Sequence, residues 1–447
     1  MKMRVQIDKK SLTSEGFPIC RILQDSDEPL ATLDVQTTRF AFPTLPGEVA
    51  VDFFLIASTV YAIDKLIHRS EAEDNWTRQF NVTIPVSSPK IWQQAAAALN
   101  GCVSFLTGDR WEFEFLQRST MLFEKSSLAH HGLPLFKPTA VSLFSGGLDS
   151  LVGVIDWLEA NPEKRLILAG HHDKQMTGPL SDQESLLGPL RIAYPGRLHA
   201  TLIRVGNHGD SPEITLRGRS LLFLAVAVCI ASAYKLTGPI LLPENGTIAL
   251  NIPLSPSRRG SCSTRTAHPH YVSQLQRVLN LVGIPNEIVN PLQSKTKGEV
   301  VRQCLNQPLL KALFAVSVSC AKRGHKREWK NRSANGCGRC MPCIYRRAAL
   351  HSAGLDSERY GLDFCKGEVD FNATDERGPA DLRACLSFLR KNYDSEQLKA
   401  FLLANGVLDI GKMDEYSALI SRAFEEIRQL FRDKSRKDMR RMAGIVP

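Results

Sequence analysis

Residues 141–150, with the sequence V-S-L-F-S-G-G-L-D-S, constrain the fold of this chain more than any other stretch. Apolar residues lead into two consecutive glycines, and an apolar segment with helical spacing follows at residues 151–158. This order predicts a strand, a tight turn and a helix. Two glycines let the backbone approach a ligand closely, and the amides at the helix start point to one place. We therefore expect an anion site here, with a plain glycine hairpin or a capped helix as the alternative.

The side chains of this turn suit the same purpose. Ser145 and Ser150 supply hydroxyl donors, and Asp149 can cap free amides or help to hold a Mg²⁺ that accompanies phosphate. The pattern differs from the lysine-containing phosphate loop and from the dinucleotide turn with spaced glycines. It resembles, residue for residue, the pyrophosphate loop (PP-loop) of the ATP pyrophosphatase family, which includes GMP synthetase, asparagine synthetase, tRNA thiolases and 7-cyano-7-deazaguanine synthase (QueC). The resemblance implies that ATP is bound by Ser145, Gly146, Gly147, Leu148, Asp149 and Ser150.

The chain divides into three parts by pattern. Strand and helix patterns alternate over residues 139–352, which predicts an α/β domain with a doubly wound parallel sheet. The pattern of residues 1–138 predicts an α+β module, which serves either to dock a partner or to stabilise the fold. Within it, residues 103–116 suggest two strands that turn at Gly108. Residues 353–447 predict amphipathic helices with a basic end.

Charge and hydropathy narrow the class of protein. At 447 residues the chain can form two or three domains, and its formal net charge of +10 favours an anionic partner such as ATP, RNA, DNA or an acidic protein. The first ten residues turn polar at once, and the longest apolar run, residues 221–231, is too short to span a bilayer. We therefore expect a cytoplasmic protein with no membrane segment.

Further candidate residues follow the predicted strands or begin a helix. Asp173 and Glu244 come shortly after strands, where ligands of parallel sheets bind, although a polar loop or a turn residue is the alternative for each. Arg219 precedes an apolar helix, where a cation is unfavourable unless an anion lies between them. The segments around Arg219 and Lys297 also resemble QueC elements. This resemblance implies that both residues contact ATP and that the acceptor base is read near Glu244 and Asn245.

The second strong motif is a set of cysteines. Four of the chain's eleven cysteines have the spacing C-x16-C-x2-C-x2-C, namely Cys320, Cys337, Cys340 and Cys343. Four thiolates suit a tetrahedral structural Zn²⁺ with no open coordination position, although an iron–sulfur cluster or redox-active pairs are alternatives. This knuckle, residues 320–343, is similar to the zinc-binding end of QueC. Its insertion at residues 321–332 is long and basic, which suggests either a solvated loop or a contact with nucleic acid.

The resemblance covers about residues 139–350 and is greatest to the QueC-like proteins of bacterial antiviral operons, of the QatC type or the related type found in CBASS operons. It implies that a carboxylate, 7-carboxy-7-deazaguanine or a relative, is adenylated with release of pyrophosphate. It further implies transfer to an amine, including one on a protein partner from the same operon. Two alternatives remain open. One is a tRNA- or DNA-modifying enzyme with the same chemistry, and the other is an idle scaffold that binds nucleotide.

Overall fold

The computed structural model describes residues 1–12, 17–24, 29–36, 42–123, 136–175, 178–208, 211–213, 215–255, 265–373 and 379–445. The described strands form one ten-stranded sheet in the order β10-β9-β6-β7-β8-β3-β2-β1-β4-β5. The strands are β1 (Lys2–Leu12), β2 (Pro18–Gln24), β3 (Pro29–Gln36), β4 (Gln79–Val86), β5 (Arg110–Gln117), β6 (Ala140–Leu143), β7 (Leu166–His172), β8 (Leu198–His208), β9 (Ile240–Leu241) and β10 (Ile288–Val289).

The helices alternate with these strands and then dominate the C-terminal part. They are α1 (Glu48–Leu66), α2 (Pro89–Thr107), α3 (Leu148–Ala160), α4 (Pro179–Ala193), α5 (Arg219–Ala233), α6 (Gly246–Leu250), α7 (Pro269–Leu281), α8 (Lys297–Arg302), α9 (Gln307–Leu313), α10 (Met341–Ser352), α11 (Ala380–Lys391), α12 (Ser395–Asn405), α13 (Met413–Lys434) and α14 (Lys437–Met442). None of the described helices is both long and apolar enough to cross a membrane.

The half of the sheet from β10 to β8 is parallel and covered on both faces. Alternate residues of β6 face opposite layers, since Val141 packs in the cluster that contains α1 and α5, whereas Ala140 packs with α3 and α4. β6 pairs in parallel with β7 and β9, and β7 pairs in parallel with β8. The predicted α/β class with a doubly wound parallel sheet is therefore confirmed.

The first strands extend this same sheet. β3 pairs antiparallel with β8, from Thr32 opposite His208 to Gln36 opposite Arg204, and α1 packs against α5. The described residues of this N-terminal part thus share a core with the α/β part. The division of the chain at residue 138 stays a prediction, as does the purpose of the N-terminal part.

The suggested strand pair at residues 103–116 is wrong in its first half. Helix α2 continues to Thr107, because Leu99, Val103 and Leu106 follow helical spacing and are all buried. Gly108 then ends the helix in the left-handed conformation, with φ +80° and its amide bonded to the Ser104 carbonyl. Only residues 110–117 form a strand, β5.

Candidate active site and metal centre

The glycine turn between β6 and α3 requires glycine at position 146. Gly146 has φ +81°, a conformation that side chains disfavour. A Cβ there would also lie only 3.0 Å from the backbone of Asp182 in the first turn of α4. The turn is therefore enclosed on one side by α4, and it is held by a hydrogen bond from the Val318 amide to the Gly146 carbonyl, 3.0 Å long.

The amides at the start of α3 remain available as donors. No side chain caps this helix, and in the described part of the chain the amides of Asp149 and Ser150 have no acceptor. The amides of Gly147 and Leu148 donate only weakly, over 3.3 Å to Ser145 Oγ and 3.4 Å to Ser319 Oγ. Such a helix start, next to an exposed Ser145 hydroxyl, can receive an anion.

The Asp149 carboxylate does not cap α3 but is directed to two residues from later in the chain. Its Oδ2 accepts hydrogen bonds from Lys297 Nζ and, at 3.0 Å, from Asn245 Nδ2. Its Oδ1 is buried without a hydrogen-bond partner in the described residues. Lys297 is the first residue of α8. Its ion pair with Asp149 therefore connects the glycine turn to the start of that helix.

Glu244 lies beside this ion pair. Asn245 Nδ2 is 3.5 Å from Glu244 Oε1 while it also bonds Asp149. Burial and then the negative charge of Asp149 raise the pKa of Glu244, and the positive charge of Lys297 opposes this shift. Two predicted substrate residues, Glu244 and Asn245, thus lie beside Asp149 of the glycine turn, so that two carboxyl groups and the Lys297 ammonium are close together.

Arg219 is held by the neutral ring of His171. Burial, followed by the charge of Arg219, lowers the pKa of His171 to about 3. His171 Nε2 lies 2.8 Å from the Val205 carbonyl oxygen, so the hydrogen is on Nε2 and the lone pair on Nδ1 faces Arg219 Nε at 3.5 Å. The guanidinium also stacks over Phe223, 5.1 Å from the ring centre. Arg219 is therefore oriented on one side and partly exposed on the other.

Asp173, the third predicted substrate residue, is occupied by partners from α1. Its Oδ2 accepts hydrogen bonds from Lys65 Nζ at 2.7 Å and Tyr61 Oη at 2.9 Å, and its Oδ1 accepts from the Gln175 amide at 3.0 Å. Burial alone would raise the pKa of Asp173, but the charge and hydrogen bond of Lys65, together with the hydrogen bonds from Gln175 and Tyr61, lower it overall. Asp173 thus joins the N-terminal part to the end of β7 and has no free carboxylate oxygen.

Sequence reasoning missed Tyr61 and Lys65. The available signal was the pair Asp64 and Lys65 within the mostly apolar helix α1, since buried charged residues in such a helix need a partner. The partner itself could not be identified from spacing, because Lys65 and Asp173 are separated by 108 residues.

The four knuckle cysteines form the candidate metal centre. One sulfur from each of Cys320, Cys337, Cys340 and Cys343 lies within 4.8 Å of the others, and none is in a disulfide. Backbone amides donate to two of the sulfurs, from Lys322 and Cys337 to Cys320 Sγ and from Arg339 and Cys340 to Cys337 Sγ, at 3.3–3.4 Å. This all-sulfur set can hold Zn²⁺ and leaves no open coordination position.

A comparison with protein-family models adds an independent observation. Residues 266–354 match the model described as queuosine biosynthesis protein QueC. The match includes Lys297 and all four knuckle cysteines, and it ends before the C-terminal helices. The glycine turn, Arg219 and Glu244 lie outside it.

Proposed function

We propose that the chain is an ATP-dependent, AMP-forming ligase of the QueC-like PP-loop class that joins a carboxylate to an amine, and the QueC match over residues 266–354 supports this proposal. The observation that carries this proposal is the ion pair between Asp149 in the glycine turn and Lys297 in the QueC-matched segment. Because of this pair, the free amides of α3 and the QueC-like part of the chain form one site.

The reaction has two steps. A carboxylate oxygen of the substrate attacks the α-phosphorus of ATP, the bond from that phosphorus to the bridging oxygen breaks, and pyrophosphate leaves. The amine nitrogen then attacks the acyl carbon of the adenylate, the bond to AMP breaks, and the amine proton passes to solvent. The protein supplies binding and charge stabilisation and needs no nucleophile of its own.

The residues of the site have distinct roles in this proposal. The amides of residues 147–150 and the hydroxyls of Ser145 and Ser150 hold the leaving pyrophosphate, and Arg219 contacts the nucleotide phosphates. Lys297 keeps Asp149 in place and contacts ATP. Glu244 and Asn245 contact the substrate, for which we propose 7-carboxy-7-deazaguanine or a related carboxylate. Asp173 acts indirectly, through Lys65 and Tyr61.

The metals fit the donor atoms present. Asp149 Oδ1, a buried carboxylate oxygen with no hydrogen-bond donor in the described ranges, and the neighbouring Glu244 carboxyl are ligands of the kind that Mg²⁺ prefers. When bound, Mg²⁺ neutralises phosphate charge. In the knuckle, Zn²⁺ stabilises the fold and takes no part in the chemistry.

The cellular setting that we propose follows from the same resemblance. The enzyme works in the cytoplasm in bacterial antiviral defence, and its amine acceptor belongs to a protein partner encoded nearby. The parts of the chain outside residues 139–352 serve this partner. The excess of basic residues suits an acidic partner surface.

The test is pyrophosphate release from ATP, first with 7-carboxy-7-deazaguanine alone and then with candidate partner proteins. Asp149→Asn and Ser145→Ala should abolish release while the protein stays folded, and the exposed control Asp370→Asn should retain it. Full activity of Asp149→Asn would contradict the proposal. ATP binding without turnover would instead indicate an idle scaffold, and tight RNA binding with a steep salt dependence would indicate a nucleic-acid-modifying enzyme.

A further inference from the structure

The basic knuckle insertion, residues 321–332, contacts the wall of the glycine turn. The guanidinium of Arg323, at the start of a short 3₁₀ segment (Arg323–Glu328), donates a hydrogen bond to Asp182 Oδ1. Asp182 is the residue whose backbone lies against Gly146. The insertion therefore presents a cation to the anion site, which a solvated loop would not do.

The Arg323 guanidinium packs against the backbone of Gly178. Gly178, just before α4, has φ +110°, and a Cβ there would lie 2.6 Å from Arg323 Nη1. Only glycine leaves room for the guanidinium at this position. The side chains of Arg323 and Asp182 are 19% and 12% exposed, so the pair is largely covered but still reached by solvent at the edge of the turn.

The charges around Asp182 are unbalanced. Burial raises the pKa of Asp182, and the positive charges of Arg323, Lys326 and Arg219 oppose this shift. Three cations thus act on one carboxylate, beside amides that have no acceptor in the described part of the chain. A second anion, with several oxygens, would balance this charge and pair with the guanidinium in bidentate fashion.

We infer that Arg323 is a pyrophosphate-binding residue, which exchanges Asp182 for the β- and γ-phosphates when ATP binds. Lys326 adds charge to the same rim. The knuckle therefore holds the metal and also delivers a cation to the phosphates. This inference rests on the proposed function, to which it adds a phosphate-binding residue that lies outside the glycine turn.

The experiment compares two arginines of the same 3₁₀ segment. Arg323→Met removes the proposed contact, and Arg327→Met removes an exposed charge as the matched control. Affinities for inorganic pyrophosphate, ATP and AMP are measured by calorimetry, with zinc content determined for each variant. Arg323→Met should weaken binding of pyrophosphate and ATP about tenfold, as expected for loss of a charge-assisted pair, and leave AMP binding unchanged. Arg327→Met should bind all three like the wild type.

A second variant tests the exchange of partners. Asp182→Asn removes the competing carboxylate and should strengthen pyrophosphate binding severalfold. If the Arg323–Asp182 pair were merely structural, the same substitution would weaken pyrophosphate binding. Equal pyrophosphate binding by the wild type and Arg323→Met would overturn the inference, as would an equal loss of AMP binding. Failure of the wild type to bind ATP or pyrophosphate would instead defeat the proposed function.

Discussion

The Gly298 amide donates a hydrogen bond to Glu426 Oε2 over 3.1 Å, across 128 residues of sequence. A Cβ at position 298 would lie 2.3 Å from Glu426 Oε1, so the carboxylate fits only against glycine. The Thr296 hydroxyl donates to the same carboxylate at 2.6 Å. A negative charge at the start of α8 stabilises that helix, and α8 carries the lysine bound to Asp149. Helix α13 thus takes part in positioning Lys297.

Glu426→Ala should weaken ATP binding severalfold and lower stability by about 1–2 kcal/mol, because the start of α8 loses its acceptor. Calorimetric ATP titration and urea denaturation measure the two effects. The neighbouring Glu425→Ala is the matched control, since its side chain is 56% exposed and pairs only with arginines on its own helix among the described residues. If both variants bind ATP like the wild type, α13 has no role in positioning Lys297.

Removal of Lys65 should be costly, because it leaves Asp173 buried and uncompensated. The side chains of this ion pair are only 7% and 2% exposed. Loss of one partner of such a pair costs about 3–5 kcal/mol. Lys65→Met should therefore unfold at markedly lower urea concentration than the wild type.

The double variant Lys65→Met/Asp173→Asn should recover part of that loss, since no charge is then left unpaired. Lys399→Met removes ion pairs to Glu396 and Asp414, which are 81% and 89% exposed, and should leave the urea midpoint nearly unchanged. A loss in Lys65→Met no larger than in Lys399→Met would show that the buried pair contributes little.

Much of the fold was predictable, because the decisive signals are local. The order of strand, glycine turn and helix at residues 140–160 and the cysteine spacing of the knuckle depend on neighbouring residues, and the structure has both features. The continuation of α2 through Val103 was missed, since β-branched and aromatic residues there also suit a strand. Packing of Val103 and Leu106 in the core favours the helix.

The candidate residues could be chosen from the sequence, but their contacts could not be predicted from it. The partners of Asp149 are Asn245 and Lys297, and those of Asp173 are Tyr61 and Lys65. Asp149 and Asn245 meet because they follow β6 and β9, which are neighbours in the sheet although the two residues are 96 positions apart. Lys297, Tyr61 and Lys65 come instead from the helices α8 and α1. Spacing and periodicity carry no information on such long-range pairing.

Stability should depend on pH through Glu244. Burial and the negative charge of Asp149 raise the pKa of this group well above 4.5. A carboxyl group with a raised pKa in the folded state stabilises that state fully below its unfolded pKa, and the contribution is lost as pH rises through the folded pKa. Glu244→Gln stays neutral, so in Mg²⁺-free buffer at pH 8 its Tm should exceed that of the wild type by about 1–3 °C.

This difference should shrink as the pH is lowered towards 5, because the wild-type carboxyl group then becomes protonated. Thermal melts at several pH values measure it. The exposed control Glu163→Gln should melt like the wild type throughout. A lower Tm for Glu244→Gln than for the wild type at pH 8 would mean that neighbouring groups stabilise the ionised carboxylate, and the pKa of Glu244 would then be lowered in the folded protein instead of raised.

Loss of the metal should unfold the knuckle. Its own apolar core is small, with only Trp329 and Ala334 beside the four cysteines in the described cluster. So little buried surface cannot offset the entropy of ordering the segment, and metal–sulfur bonds must supply the difference.

We expect about one Zn²⁺ per chain by elemental analysis, and loss of zinc with aggregation in Cys340→Ser. Cys304→Ala, a buried cysteine outside the cluster, should keep its zinc. Iron and visible charge-transfer absorption in the purified protein would show that the cysteines hold an iron–sulfur cluster and not zinc. A folded, metal-free Cys340→Ser variant would show that packing alone stabilises the knuckle.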